Sequence, residues 1–175
     1  MKRITLIIIA FITVSALGFT QELKVGQKAS PWRFPDSDGK FFTMNSWQGK
    51  VLQINYVDPD ESDLNDPFND VMDVAADDGT INRDGYKGFG IVDCDASWKP
   101  NFLIKMIAGK KAKKYDTTIL FDTEAVLRKQ WGLAEDSYNI IIVDKQRIVR
   151  YIRKGKMPAE DIPKVVKLIA DLSRE

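Results

Sequence analysis

The sequence predicts one α/β domain with a mixed central β-sheet, helices on both faces of the sheet, and a β-hairpin extension at the N-terminal end. Two observations lead to this fold class. Apolar strand-like segments alternate with helix-like segments along most of the chain, and the last two strand-like segments are joined by a short turn. Alternation gives parallel neighbours and a short turn requires an antiparallel pair, so the sheet is mixed. The chain has 175 residues, of which 44% are hydrophobic, and can bury a single core.

The first residues predict an export signal that is removed from the mature protein. Lys2 and Arg3 form a basic start, an apolar run follows, and a small-residue cleavage site ends at Gly18. The alternative is an uncleaved membrane anchor, but the run is shorter than the roughly 20 apolar residues that span a bilayer. We therefore expect a signal peptide at 1–18, a single domain at 19–175, and a periplasmic protein without a stable membrane anchor.

Short extended segments and apolar strands supply the predicted sheet. Asp38-Gly39 is a hairpin signal between strands at 32–34 and 41–44. Val51–Val57 (VLQINYV) is almost continuously apolar, as in a strand that is covered on both faces. The remaining strands are predicted at 88–95, at 117–122 and, on either side of a turn at 144–147, within 139–155.

Four helices are predicted between and after these strands. The first carries apolar residues at helical spacing, with Asp66 as its N-cap and Pro67 at its first position. Those apolar residues are Phe68, Val71, Met72 and Ala75. The other three helices are predicted at 101–109, 124–131 and 161–172.

Composition narrows the chemistry that the protein can perform. The chain has no histidine, which excludes Ser-His and Cys-His dyads and the usual zinc ligands. Cys94 is the single cysteine, so an internal disulfide cannot form. A net charge of +1 gives no indication of nucleic acid or an anionic membrane as an obligatory partner. Catalysis would have to rest on carboxylates, lysines, tyrosines or that one thiol.

Two long segments resemble a known group of exported proteins. The run VGQKASPWRFPDSDGKFFTMNSWQGKVLQINYV is similar to the opening of thioredoxin-like proteins of the TlpA and peroxiredoxin kind. The segments FDTEAVLRKQWGL and NIIIVDKQRIVRYIRKG resemble a later part of the same proteins. Within that group the chain is identified as a member of the YtfJ family of exported bacterial proteins. The resemblance runs from about residue 24 to the C-terminus and implies a thioredoxin-like fold.

The resemblance also implies where this chain departs from redox proteins. The two active-site cysteines of a TlpA-like protein would fall on Glu61 and Leu64, and the proline that faces them would fall on Tyr138. Disulfide exchange needs a thiolate and a resolving thiol, so we expect no such chemistry in this loop. Cys94 leaves open a one-cysteine thiol peroxidase or oxidoreductase. The favoured interpretation of that residue is a small buried hydrophobe.

The loop at 58–66 is unusually acidic. Asp58, Asp60 and Asp63 are weak candidates for an irregular divalent-cation site, since the loop lacks the glycine and the final glutamate of an EF-hand. The favoured interpretation is that these carboxylates stabilise a proline turn and the start of the following helix.

These features predict a non-catalytic periplasmic binding module without a cofactor. Its partner would be a periplasmic protein or a small polar ligand, held in a crevice formed by 58–63, 94–98 and 136–139. The candidate crevice residues are Asp58, Asp60, Glu61, Asp63, Cys94, Trp98 and Tyr138. Trp98 and Trp131 are expected to pack against neighbouring helices. The lysines within 110–114 could contact an acidic partner, but they are more typical of a solvated face.

Overall fold

A five-stranded mixed sheet forms the centre of the protein. The computed structural model describes residues 22–175, so the expected signal peptide lies outside the described residues. In chain order the elements are β1 (Arg33–Pro35), β2 (Phe41–Thr43), β3 (Val51–Val57), α1 (Asp66–Asp77), β4 (Tyr86–Asp93), α2 (Asn101–Lys114), β5 (Ile119–Asp122), α3 (Val126–Trp131), β6 (Tyr138–Val143), β7 (Val149–Lys154) and α4 (Ile162–Arg174). Strands β1 and β2 form a separate antiparallel pair, which is the predicted hairpin.

The order of the strands in the large sheet is β5-β4-β3-β6-β7. Strand β4 pairs in parallel with both β3 and β5, whereas β6 pairs antiparallel with both β3 and β7. The predicted mixed sheet is therefore confirmed. Its topology also brings the carboxyl ends of β3, β4 and β5 to the same edge of the sheet, which is where ligands commonly bind in open α/β folds.

The sheet separates two apolar cores. On one face α1 and α4 pack through side chains such as Phe68 and Ile169. On the other face α3 packs together with the N-terminal segment, through Trp131 among others. Because successive strand residues point to opposite faces, Val51 belongs to the first core and Leu52 to the second. Burial of β3 on both faces explains its continuous apolar sequence.

Helix α2 is attached differently from the other helices. Ile104 packs against Cys94 and Phe121 in a small third cluster, and Ile104 and Gly109 are the buried residues of this helix. The predicted helix ends at residue 109, but α2 continues to Lys114. None of the helices within 22–175 is long and apolar enough to cross a membrane.

The start of α1 differs from the prediction in a way that involves distant residues. Asn65, and not Asp66, is the N-cap residue, and Asp66 lies in the first turn. The Asn65 side chain does not cap the helix. It accepts a hydrogen bond from the Met157 backbone N–H at 2.7 Å and donates one to the Gly155 carbonyl at 3.2 Å. Asn65 therefore ties the start of α1 to the segment between β7 and α4.

Val71 is a second local correction. It was predicted to face the core with Phe68, Met72 and Ala75, but it is exposed, whereas the other three are buried. The apolar stripe of α1 is thus narrower than the sequence pattern suggests.

Candidate functional site

The acidic loop begins where β3 ends, and its first residue is buried. Asp58 accepts a hydrogen bond from the Asp60 backbone N–H at 2.8 Å, which caps a short 3-10 turn at Pro59–Glu61. The backbone N–H of Asp58 donates to the Ser137 carbonyl at 2.9 Å. Burial raises the pKa of the Asp58 carboxyl above its ordinary value. Asp58 therefore shapes the turn, as the favoured interpretation predicts, and joins the loop to the segment before β6.

Asp60 joins the same loop to the segment after β4. The Ser97 hydroxyl donates to the Asp60 carboxylate at 2.9 Å, and the Lys99 ammonium forms an ion pair with it. Hydrogen bonds from Lys99 and Ser97 lower the pKa of Asp60 below its ordinary value. Together with the bond between Asp58 and Ser137, these contacts bring the three predicted crevice segments side by side.

Glu61 and Leu64, which stand where the resemblance places the redox thiols, differ from each other in their surroundings. Leu64 packs against the core beneath α1 and α4, whereas Glu61 remains partly exposed. Asp63 is largely exposed, and its carboxylate lies 3.6 Å from the Lys111 ammonium. In the part of the chain from 22 to 175, no group of three or more carboxylates or thiols could hold a metal ion.

Cys94 lies in a short 3-10 turn directly after β4 and is only 3% exposed. Its Sγ lies 3.8 Å from the Val92 carbonyl oxygen, and its side chain packs with Ile104 and Phe121. Burial raises the pKa of the thiol to about 12, an effect that Lys105 only partly offsets. A thiol with that pKa is protonated near neutral pH, and the protonated form is a poor nucleophile.

Tyr138 and Trp98 have opposite surroundings. Tyr138 is buried, and its hydroxyl accepts a hydrogen bond from the Asn69 side-chain amide at 3.1 Å. Trp98 is 86% exposed, so the prediction that it packs against a helix is wrong. Trp131 is buried, as expected. Of the seven candidate residues, the structure therefore leaves Asp60, Glu61, Asp63 and Trp98 accessible to a partner, while Asp58, Cys94 and Tyr138 lie beneath the surface.

Beneath this surface lies a buried polar cluster that the sequence reasoning missed. The Arg128 guanidinium donates to Asp93 at 2.9 Å, and the Tyr56 hydroxyl donates to Asp122 at 3.1 Å. All four side chains are buried. The Asp122 carboxylate also accepts hydrogen bonds from the backbone N–H groups of Val126 and Leu127, at 2.9 and 2.8 Å. It therefore satisfies the first two backbone N–H groups of α3, whose N-cap residue is Ala125, and also holds the end of β3.

Arg128 extends the buried cluster to the surface. The same guanidinium donates to Asp95 at 3.0 Å and forms an ion pair with Glu135 at 2.9 Å, and both of these carboxylates are at least partly exposed. Burial raises the pKa of Asp93, and the attraction of Arg128 offsets only part of that shift. Burial, followed by the nearby charge of Asp122, raises the pKa of the Tyr56 phenol, so this group stays protonated as a donor. The cluster thus fixes the loops that border the candidate surface.

A sequence signal for this cluster was available. The strand segments IVD and LFD place Asp93 and Asp122 at the carboxyl ends of parallel neighbours. Carboxylates at the ends of adjacent parallel strands lie close together at one edge of the sheet. Where such carboxylates are buried, they need a cationic partner. Arg128 could not be identified in the same way, because it lies inside a short helix whose sequence gives no sign of burial.

Known proteins with similar sequences identify the family of this chain. Residues 37–172 match the model of a family described as "Bacterial protein of unknown function (YtfJ_HI0045)". The chain belongs to this YtfJ family. A relative from Haemophilus influenzae, described as "Uncharacterized protein", is 32% identical over 66 residues. That match covers 38% of this chain and 35% of the relative, so it spans about a third of the relative's length.

Solved structures that are similar to this YtfJ family member show the fold. One is a putative thiol:disulfide interchange protein DsbE from Chlorobium tepidum, with a TM-score of 0.61, 17% identity, and coverage of 86% of this chain and 99% of that one. Another is a thiol peroxidase from Chromobacterium violaceum, with a TM-score of 0.62, 13% identity, and coverage of 86% and 88%. At these identities the likeness shows a thioredoxin-like fold and carries no statement about activity.

Proposed function

We propose that this protein is an exported, non-catalytic thioredoxin-like module that binds a periplasmic protein or a small polar ligand. The main observation behind the proposal is that the single thiol of the chain, Cys94, is buried and has a raised pKa. The resemblance to TlpA-like proteins also places Glu61 and Leu64 at the positions of the redox cysteines. A protein of this fold that lacks a reactive thiol retains the exposed loops around the site as a binding surface.

The surface that we assign to the partner consists of Asp60, Glu61, Asp63 and Trp98. The contacts of Asp60 with Ser97 and Lys99 hold the two loops together, so the surface is formed before a partner arrives. Preorganisation of this kind favours binding because little conformational entropy remains to be lost.

Site-specific photo-crosslinking tests this assignment. A photoreactive amino acid is placed at Glu61 or Trp98 and, as a matched control, at Val25, which is also exposed. We expect the same crosslinked species from positions 61 and 98 in living cells and none from position 25. Crosslinks that are equal at all three positions would refute a specific surface.

Export itself is part of the proposal. It rests on the basic start, the apolar run and the small residue Gly18. Mass spectrometry of the protein recovered from cells should give a chain that begins near Phe19. An intact N-terminus in the membrane fraction would overturn this part of the proposal while leaving the crosslinking result interpretable.

A further inference from the structure

One side of α2 exposes large apolar side chains next to lysines. Phe102 is 74% exposed, Met106 and Ile107 are about half exposed, and the exposed Trp98 lies three residues before the helix. Phe102 and Met106 are four residues apart and therefore lie one above the other on the helix surface. We refer to Trp98, Phe102, Met106 and Ile107 as the α2 apolar patch.

The charge of α2 is entirely basic. The helix contains lysines and no carboxylate; these are Lys105, Lys110, Lys111, Lys113 and Lys114. Lys110 and Lys114 follow Met106 at intervals of four residues, so they continue the same side of the helix beyond the apolar patch. Lys111 and Lys113 contact exposed carboxylates at 3.6 and 3.7 Å, and exposed pairs of this kind are weak and easily exchanged for other anions.

We propose that this face of α2 docks reversibly on the surface of a bilayer that contains anionic phospholipids. Aromatic and aliphatic side chains insert at the boundary of headgroups and acyl chains, and adjacent lysines bind the anionic headgroups. The proposal goes beyond the binding function above, because it assigns a different partner to α2. The surface centred on this helix meets the surface of the first partner at Trp98, which borders both.

The exposure of the patch favours a bilayer over a protein partner. Its four side chains are between 48% and 86% exposed, so the rest of the protein covers little of them. A bilayer accepts protruding side chains without a complementary shape, whereas protein interfaces usually need close complementarity at their core.

Helix α1 provides a matched control within the same molecule. It exposes two apolar residues, Val71 and Val74, but its charged residues are all aspartates, so it carries the opposite charge. If exposure of apolar side chains alone caused lipid binding, α1 would also contribute, in proportion to its smaller exposed apolar area. The proposal requires that it does not.

Vesicle co-sedimentation of the mature protein, recovered from cells without the expected signal peptide, tests the proposal. The lipids are phosphatidylcholine alone or phosphatidylcholine with phosphatidylglycerol. We expect binding to the anionic vesicles that weakens at high salt. Replacing Lys110, Lys113 and Lys114 with Gln should lower the partition coefficient by about a hundredfold, at the usual contribution of a lysine near an anionic surface.

The apolar contribution is measured with a second pair of variants. Phe102→Ser/Met106→Ser should lower the partition coefficient at least about tenfold, and Val71→Ser/Val74→Ser should leave it unchanged. Anionic vesicles should also shift the tryptophan emission to shorter wavelength, and Trp98→Phe should abolish that shift. Equal binding to both lipids, equal effects of the α1 and α2 variants, or an unshifted emission would overturn the proposal. If the patch binds an acidic protein and not lipid, anionic vesicles would leave the tryptophan emission unshifted.

Discussion

The Asp122 carboxylate should be among the most sensitive polar groups of this protein. It accepts hydrogen bonds from Tyr56, Val126 and Leu127 while only 1% of the residue is exposed. Replacement by Ala removes the acceptor of two backbone N–H groups at the start of α3, at a cost of about 1 kcal/mol, as for the loss of a helix cap. It also leaves the buried Tyr56 hydroxyl without a partner, at a cost of about 1–3 kcal/mol. The same substitution removes the repulsion between Asp122 and Asp93, which recovers a small part of the lost free energy of unfolding.

We therefore expect Asp122→Ala to lower the free energy of unfolding by about 3 kcal/mol, which corresponds to a fall in Tm of roughly 10 °C for a domain of this size. Urea denaturation and thermal melts measure both quantities. The matched control is Asp63→Ala, which should change the free energy of unfolding by less than about 0.5 kcal/mol because Asp63 is exposed.

A double-mutant cycle isolates the contribution of the hydrogen bond between Tyr56 and Asp122. In Asp122→Ala/Tyr56→Phe no buried hydroxyl is left without a partner, so the pair should cost less than the sum of the single variants by about 1 kcal/mol or more. Strictly additive single variants, or an Asp122→Ala as mild as Asp63→Ala, would refute this account of the buried cluster.

Three further predictions concern the acidic loop and the helix that follows it. Asn65→Ala should cost about 2 kcal/mol, because it leaves the buried Met157 N–H without an acceptor, whereas Asp66→Ala should stay within about 0.5 kcal/mol; chemical denaturation compares them. The pKa of Asp58 is raised in the fold, so the native state binds its proton more tightly and stability falls as pH rises through the range above the ordinary value of 3.8. Denaturation across this range should show a shallower fall in Asp58→Asn, and an unchanged slope would contradict the assignment. Melts with calcium and with chelator should coincide in both the wild type and Glu61→Gln/Asp63→Asn, whereas a site saturated at a hundred times its dissociation constant would add roughly 2.7 kcal/mol.

The parts of the fold that the sequence predicted are those with a local signal. Val51–Val57 is continuously apolar because it is covered on both faces, and its bounds agree with the structure. Helix α3 ends at Trp131, the predicted last residue, because Gly132 adopts a left-handed backbone conformation with φ of 61°. Patterns of this kind depend only on neighbours along the chain.

The parts that could not be predicted depend on residues far apart in sequence. The role of Asn65 depends on Gly155 and Met157, which lie in another segment, so the local pattern favoured Asp66 as the cap. Trp98 was expected to pack against a helix because it lies beside one in the sequence. Its exposure follows from the way α2 attaches mainly through Ile104, which the sequence does not reveal.

The most direct test of the central claim is a disulfide-reduction and peroxide-consumption assay on the purified protein, with Cys94→Ser alongside and an active thioredoxin as the assay control. The buried Cys94 thiol has a raised pKa, and the resemblance to TlpA-like proteins places Glu61 and Leu64 at the thiol positions. Both features predict the same background rate for the wild type and the variant. Turnover above background in the wild type that is lost in Cys94→Ser would contradict the account and establish Cys94 as a catalytic thiol.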